Sequence, residues 1–196
     1  VSCSTDDAVG TLGLTSSDVM HFSQEGGEGV ISYAIQGAKG DAKVEAVNLK
    51  GADNVTLRNI TFDAATAKVA YDGKGNGKQN AHIFSGDASK NASGSENLVI
   101  DGCTFAGTFA QTAHYPGAIA ITDNGRSSGQ SGNITIKNCT FNTTGGYFNI
   151  GLYYGGYGEM NIENNTFKSE ALGWGTIYLV RYQSSTPVVV KGNAFE

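Results

Sequence analysis

Five nine-residue segments of this chain can be written one beneath another, and that repetition constrains the fold more than any other property. They are Asn54-Val-Thr-Leu-Arg-Asn-Ile-Thr-Phe62, Asn97-Leu-Val-Ile-Asp-Gly-Cys-Thr-Phe105, Asn133-Ile-Thr-Ile-Lys-Asn-Cys-Thr-Phe141, Glu159-Met-Asn-Ile-Glu-Asn-Asn-Thr-Phe167 and Pro187-Val-Val-Val-Lys-Gly-Asn-Ala-Phe195. Their starts lie 43, 36, 26 and 28 residues apart, so a fixed unit alternates with loops of variable length. Self-similarity on this scale marks a stacked-repeat architecture, in which each unit buries its apolar face against its neighbours.

Each column has a physical reading. Positions two and four are apolar throughout: Val55, Leu98, Ile134, Met160 and Val188, then Leu57, Ile100, Ile136, Ile162 and Val190. Alternation with a period of two residues is that of a strand with one buried face. Position six is Asn or Gly in every unit (Asn59, Gly102, Asn138, Asn164, Gly192). These types tolerate positive φ, so a bend in the left-handed region is expected there. Position nine is always Phe, and the five rings are expected to point inward and stack. Position five reads Arg58, Asp101, Lys137, Glu163, Lys191. Parallel strands lie about 4.8 Å apart, so these alternating signs become vertical neighbours. Exposed pairs contribute only about 0–1 kcal/mol each, yet they disfavour a slip by one unit. The expectation is an all-β chain forming a parallel β-helix of about four to five coils.

At 196 residues, the chain is long enough for one or two domains. It contains 28 Gly and shows no apolar period of 3.6, so helix is expected to be minor. A net charge of −5 without a basic run argues against nucleic acid as a partner. No segment approaches the roughly 20 apolar residues of a membrane helix. Cys103 and Cys139 share column seven of successive units, which leaves two readings open: stacked buried thiols, the favoured one, or a disulfide.

The opening Val1-Ser-Cys-Ser-Thr-Asp-Asp7 resembles the processed start of a bacterial surface lipoprotein. Cys3 would be the lipidated residue and residues 1–14 a tether. A chance cysteine in an acidic end is the alternative, and residues upstream would decide between them. Membrane association is expected only through that lipid, at the outer face of a cell envelope. Residues 15–46 include Leu14-Thr-Ser-Ser-Asp-Val-Met-His-Phe22, Glu25-Gly-Gly-Glu-Gly29, Val30-Ile-Ser-Tyr-Ala-Ile35 and Lys43-Val-Glu-Ala-Val47. They read as a strand, a glycine-rich hairpin and two further strands. The stretch resembles part of the BACON-type β-sandwich modules of surface glycan-handling lipoproteins. Because Asn48-Leu-Lys-Gly-Ala-Asp53 runs straight into the first unit, the segment is expected to cap the open edge of a β-helix spanning 47–196. The last unit stops at Phe195-Glu196 without a cap, so an incomplete piece of a longer protein is expected.

Between the units lie further strand-like runs: His82-Ile-Phe-Ser85, Ala118-Ile-Ala-Ile-Thr122, Phe148-Asn-Ile-Gly-Leu-Tyr153 and Thr176-Ile-Tyr-Leu-Val180. The order of strand, Asn-rich tight bend, short strand, loop and third strand resembles the pectate-lyase-like right-handed parallel β-helix superfamily over about residues 43–196. The resemblance implies a right-handed solenoid. It also implies that the loops after position nine (63–81, 106–117, 142–147, 168–175) and the outer face of the third strands wall a substrate groove. The first of these loops carries Lys68, Lys74 and Lys78.

Strand parity, with Ile83, Ile119, Ile121, Ile150, Leu152, Ile177 and Leu179 inward, places His82, Phe84, Ala118, Ala120, Thr122, Asn149, Gly151, Tyr153, Tyr178 and Val180 outward. Tyr115, Tyr147, Trp174 and His114 flank that face. Aromatic rings beside small polar residues suit sugar rings, whose C–H faces are apolar and whose hydroxyls need hydrogen bonds. Phe84, Tyr115, Tyr147, Asn149, Tyr153, Trp174 and Tyr178 are therefore the candidate substrate-binding residues. The bland alternative is that the tyrosine-rich run 147–157 simply covers the scaffold.

Asp87 and Asp123 each lie ten residues before the next unit, so they are expected to stack as two carboxylates able to hold Ca²⁺. Tyr154 and Arg181 hold the matching place on the next two coils. In the resembled lyases a basic side chain removes the proton beside a uronate carboxylate, which implies Arg181 as base, with His82 or His114 behind it. An Asp-Gly or Asp-Asn turn needs acidic side chains for bending alone, so this constellation is common on any surface. Seven Asn-x-Ser/Thr triplets, among them Asn59, Asn138 and Asn164, fall mostly where the columns already demand Asn and Thr, and read as scaffold. Three functional classes stay open: a lyase or hydrolase acting on uronate-containing glycan, a non-catalytic glycan-binding module, and a structural adhesin. A monomer is expected in each.

Overall fold

The computed structural model describes residues 9–11, 19–21, 33–36, 43–44, 46–49, 54–64, 81–85, 97–109, 117–122, 130–131, 133–183 and 186–196. Every element among them is a strand, and every strand pair is parallel. The first sheet runs β1 (Val9–Thr11), β3 (Tyr33–Gln36), β6 (Val55–Arg58), β9 (Leu98–Asp101), β13 (Ile134–Lys137), β16 (Met160–Glu163), β19 (Val188–Lys191). The second runs β4 (Lys43–Val44), β7 (Thr61–Ala64), β10 (Thr104–Phe109), β14 (Thr140–Gly145), β17 (Thr166–Phe167), β20 (Ala194–Phe195). The third runs β2 (Val19–His21), β5 (Ala46–Asn48), β8 (Ala81–Ser85), β11 (Gly117–Thr122), β15 (Phe148–Tyr157), β18 (Gly175–Gln183), with β12 (Gln130–Ser131) also joined to β15. From β3 onward the chain visits the first, second and third sheets in turn, β12 being a second return to the third. The architecture is all-β with three parallel sheets, compatible with a parallel β-helix.

Each nine-residue unit supplies one strand to the first sheet and one to the second, joined by a two-residue bend. The units pair in register: Ile134 with Leu98 and Met160, Phe105 with Phe62 and Phe141. Positions two and four are fully buried in the first four units, whereas Val190 in the last is 47% exposed. The bends follow from residue type. Asn59, Asn138 and Asn164 have φ of 55°, 56° and 56°, and Gly102 and Gly192 both have 66°. Turning there brings the next strand onto the second sheet. At the first column, Asn54, Asn97 and Asn133 also adopt positive φ (56°, 54°, 54°). Their side chains form an exposed ladder, Asn97 Nδ2 donating to Asn54 Oδ1 at 2.8 Å and Asn133 Nδ2 to Asn97 Oδ1 at 3.1 Å.

The interior is organised by the phenylalanines. Phe62, Phe105, Phe141, Phe167 and Phe195 form one continuous stack, with successive ring centroids 5.0, 4.7, 4.7 and 5.1 Å apart and planes within 17°. Burying one such ring contributes about 1.5–3 kcal/mol, and each stacked pair adds about 0.5–1.5 kcal/mol. Position seven changes chemistry along the stack. Ile60, Cys103 and Cys139 come first, and both thiols are free and buried. Burial pushes the Cys139 thiol well above its usual range. Asn165 and Asn193 follow. Asn165 Oδ1 accepts from Cys139 N (2.9 Å), while Asn193 Oδ1 accepts from Asn165 N (2.9 Å) and Nδ2 (3.0 Å). The side-chain amides thus satisfy buried groups at the bend that a purely apolar column would leave unpaired. On the outside, Asp101 lies between Arg58 (3.4 Å) and Lys137 (3.8 Å), and Lys191 pairs with Glu163 at 3.1 Å, as the alternating column implies.

Within residues 15–46, the described strands belong to the same three sheets as the units. β3 pairs with β6 (Tyr33 with Val55, Ile35 with Leu57), and β4 with β7 (Val44 with Phe62). β2 pairs with β5. All three pairings are parallel. The glycine-rich turn expected at residues 25–29 lies outside the described residues.

Candidate functional site: an aromatic face on the third sheet

At the junction of β14 and β15, Gly145 ends β14 and Gly146 follows it, with φ of 73° and 78°. In the corresponding stretch of the next unit, Ala171 (φ 56°) lies between β17 and β18 and Gly175 (φ 139°) opens β18. The two stretches run side by side and hydrogen-bonded, Gly145 N donating to Glu170 O at 3.0 Å. Gly173 N donates to Gly146 O at 3.0 Å and Trp174 N to Tyr147 O at 2.8 Å. The register places Trp174 on Tyr147, ring centroids 4.3 Å apart and planes 21° apart. Beside them Phe148 and Tyr178 stack at 6.2 Å and 9°, and Trp174 meets Tyr178 at 4.7 Å, tilted by 36°. Gly173 permits this arrangement, because a Cβ there would lie 2.7 Å from Tyr147 Cδ1. Trp174 is 43% exposed, whereas Phe148 is fully buried. The result is a four-ring cluster with one large ring open to solvent.

Phe148 explains why this face is not a bare floor. Its ring lies against Gly117 and Gly151, where any Cβ would overlap it. Gly151 is the register partner of Ala120 and Tyr178, and Ala120 of Phe84. Parity placed Ala120 and Gly151 outward as an open strip, but both are buried. Strand parity separates the two sides of a flat strand and is blind to a ring from the same strand folding back over it.

Parity also fails at the start of these strands, beside the second sheet. His82 is fully buried. Its Nε2 is 2.6 Å from Ala106 O, and its ring packs near Phe62 (5.8 Å), Phe105 (6.0 Å) and edge-on to Phe109 (5.0 Å). Asn149 is likewise buried and turned toward the second sheet. Its Oδ1 accepts from Thr143 Oγ1 at 3.1 Å and from Ser169 Oγ at 2.8 Å, while its Nδ2 has no hydrogen-bond partner. An unsatisfied buried donor costs about 1–3 kcal/mol. Neither residue is presented to the outer face, contrary to the placement expected from parity.

Of the expected binding residues, Tyr147, Trp174 and Tyr178 are brought together. Phe84 and Tyr153 hold their places in β8 and β15, Tyr153 opposite Val180. The same register sets Arg181, in β18, opposite Tyr154. Tyr115, His114, Asp87, Asp123 and Cys3, and the lysines of the first loop, lie outside the described residues. Among the described residues no group of three His, Cys, Asp or Glu side chains could hold a metal ion. Phe148 is the participant that the sequence reading missed. The signal was available: it stands beside Tyr147, and glycines occupy the register positions its ring covers. No protein-family model, curated protein or solved structure matches the chain.

Proposed function

We propose that this chain is a right-handed parallel β-helix of pectate-lyase-like type that engages polysaccharide on the outer face of its third sheet. It is displayed at the outside of a cell through a lipid on Cys3. The residues around Cys3 that precede β1 act as the tether, β1 to β4 extend the three sheets and cover the open edge of the first unit in the manner of a BACON-type segment, and 47–196 form the rest of the solenoid. The observation that carries the reading is the cluster of Tyr147, Phe148, Trp174 and Tyr178, with a half-exposed indole at its surface. Aromatic faces backed by a stiff sheet bind sugar rings with little loss of conformational freedom. The test is a glycan array probed with the whole chain: saturable binding to at least one polysaccharide is expected, and its absence across the array refutes the reading.

Catalysis is a separate question on the same scaffold. In the enzymatic version, Asp87 and Asp123 hold Ca²⁺ and Arg181 removes the proton, with His114 as its alternate. Asp87→Asn or Arg181→Ala then abolishes the unsaturated-uronate absorbance produced from a uronate-containing glycan. Unchanged product formation excludes that site. The adhesin reading is favoured by one observation, that Trp174 stacks on Tyr147 in register just as the interior phenylalanines stack, which a purely structural ladder would also show. It predicts attachment to cells without saturable glycan binding.

A further inference from the structure

Resting on the glycan-binding reading, we infer that the aromatic face selects neutral rather than acidic sugar chains, with Trp174 as the contact ring. The residues that build the face, 145–158 and 171–180, contain no Asp, Glu, Lys, Arg or His, and Arg181, the next cation along β18, lies three residues beyond Tyr178, toward the end of the strand away from Trp174. What they offer is rings, glycines and hydroxyls: Tyr147, Tyr178 and Thr176 at the surface, around an indole that is 43% exposed. A neutral pyranose presents an apolar C–H face to such a ring and hydroxyls to the rim. A uronate brings a carboxylate whose lost hydration these segments do not replace with a cation. The lysines that would favour an acidic chain, Lys68, Lys74 and Lys78, belong to a different segment, the first loop. Two features hold Trp174 in place: its backbone N–H bonds to Tyr147 O at 2.8 Å, and Gly173 leaves room for the Tyr147 ring beneath it. The selecting surface is thus presented by backbone hydrogen-bonded to the neighbouring stretch of Gly146 and Tyr147.

Trp174 is the single tryptophan of the chain, so its fluorescence reports on this site alone. The experiment titrates the full chain with neutral β-linked oligosaccharides and with oligogalacturonates of matched length, following tryptophan emission, at low and high salt. Neutral chains are expected to shift the emission saturably and without salt dependence, and oligogalacturonates to leave it unmoved. Calorimetry should then show Trp174→Ala binding neutral chains about tenfold more weakly, with Trp174→Phe restoring most of the loss and circular dichroism unchanged in both. A larger or salt-sensitive response to oligogalacturonate overturns the inference. So does neutral binding that leaves Trp174 silent or survives Trp174→Ala. Array binding to acidic glycans alone, with silent emission, defeats selectivity while leaving the glycan-binding reading standing; no binding to any glycan defeats both.

Discussion

Two groups of stacked aromatic rings occur in this molecule, one through five units of the interior and one on two successive strands of the third sheet. The interior file, Phe62 to Phe195, repeats at 4.7–5.1 Å with its first three rings fully buried. In the outer file Trp174 lies on Tyr147 in the same vertical register, whereas Phe148 meets Tyr178 diagonally. The indole, at the start of the last described strand of its sheet, is 43% exposed, as Phe195 on the last strand of the second sheet is 60% exposed. Stacking geometry is therefore a product of strand spacing, which any in-register column inherits. Function cannot be read from the stacking itself. The difference lies in polar handles: tyrosine and tryptophan outside carry O–H and N–H groups, and phenylalanine inside carries none.

That contrast can be broken by mutation. The largest effect is expected from Phe141→Ala, in the middle of the interior file, at about 3–5 kcal/mol. Urea unfolding measures it, and a loss near zero would show the file to be incidental. Next is Gly117→Ala, whose Cβ would meet the Phe148 ring and lie 2.5 Å from Phe148 O. Overpacking of this kind costs about 1–3 kcal/mol, and Phe148→Ala in the same chain should recover part of it if ring and glycine are complementary. Trp174→Ala should cost only about 1 kcal/mol or less, because half of the ring is already in water; a loss as large as that of Phe141→Ala would make the outer file structural. Smallest is Asp101→Asn, which removes the shared partner of Arg58 and Lys137. A thermal shift worth about 0–1 kcal/mol, vanishing in high salt, is expected.

Much of this was legible because the repeat makes distant residues testify about one another. Asn or Gly at position six, five times over, announced the left-handed bends, and five phenylalanines announced a stack. The strands around Ile83, Ile119, Ile150 and Ile177 were also readable from alternation. What escaped notice did so for identifiable reasons. The strands β3 and β4 hold the register positions of position-two-to-five and position-nine residues, with Ile35 at Leu57 and Val44 at Phe62. Six residues separate them instead of two, and Val replaces Phe, so the column pattern dissolves. The burial of His82 and Asn149 escaped because parity speaks only of strand faces. Near the junction with the second sheet, Ala106 O, Thr143 and Ser169 claim those side chains. The positive φ of Asn54, Asn97 and Asn133 was hidden by Glu159 and Pro187 occupying the same column.

The alternating charges of position five carry a consequence for how such a chain grows or shrinks. Arg58, Asp101, Lys137, Glu163 and Lys191 change sign at every step, so the electrostatic pattern repeats only after two units. Excising the unit that bears Glu163 would set Lys137 against Lys191, whereas excising two adjacent units would preserve opposite neighbours throughout. Length variation in an array of this design should accordingly favour even steps, an arithmetic written into its surface rather than its core.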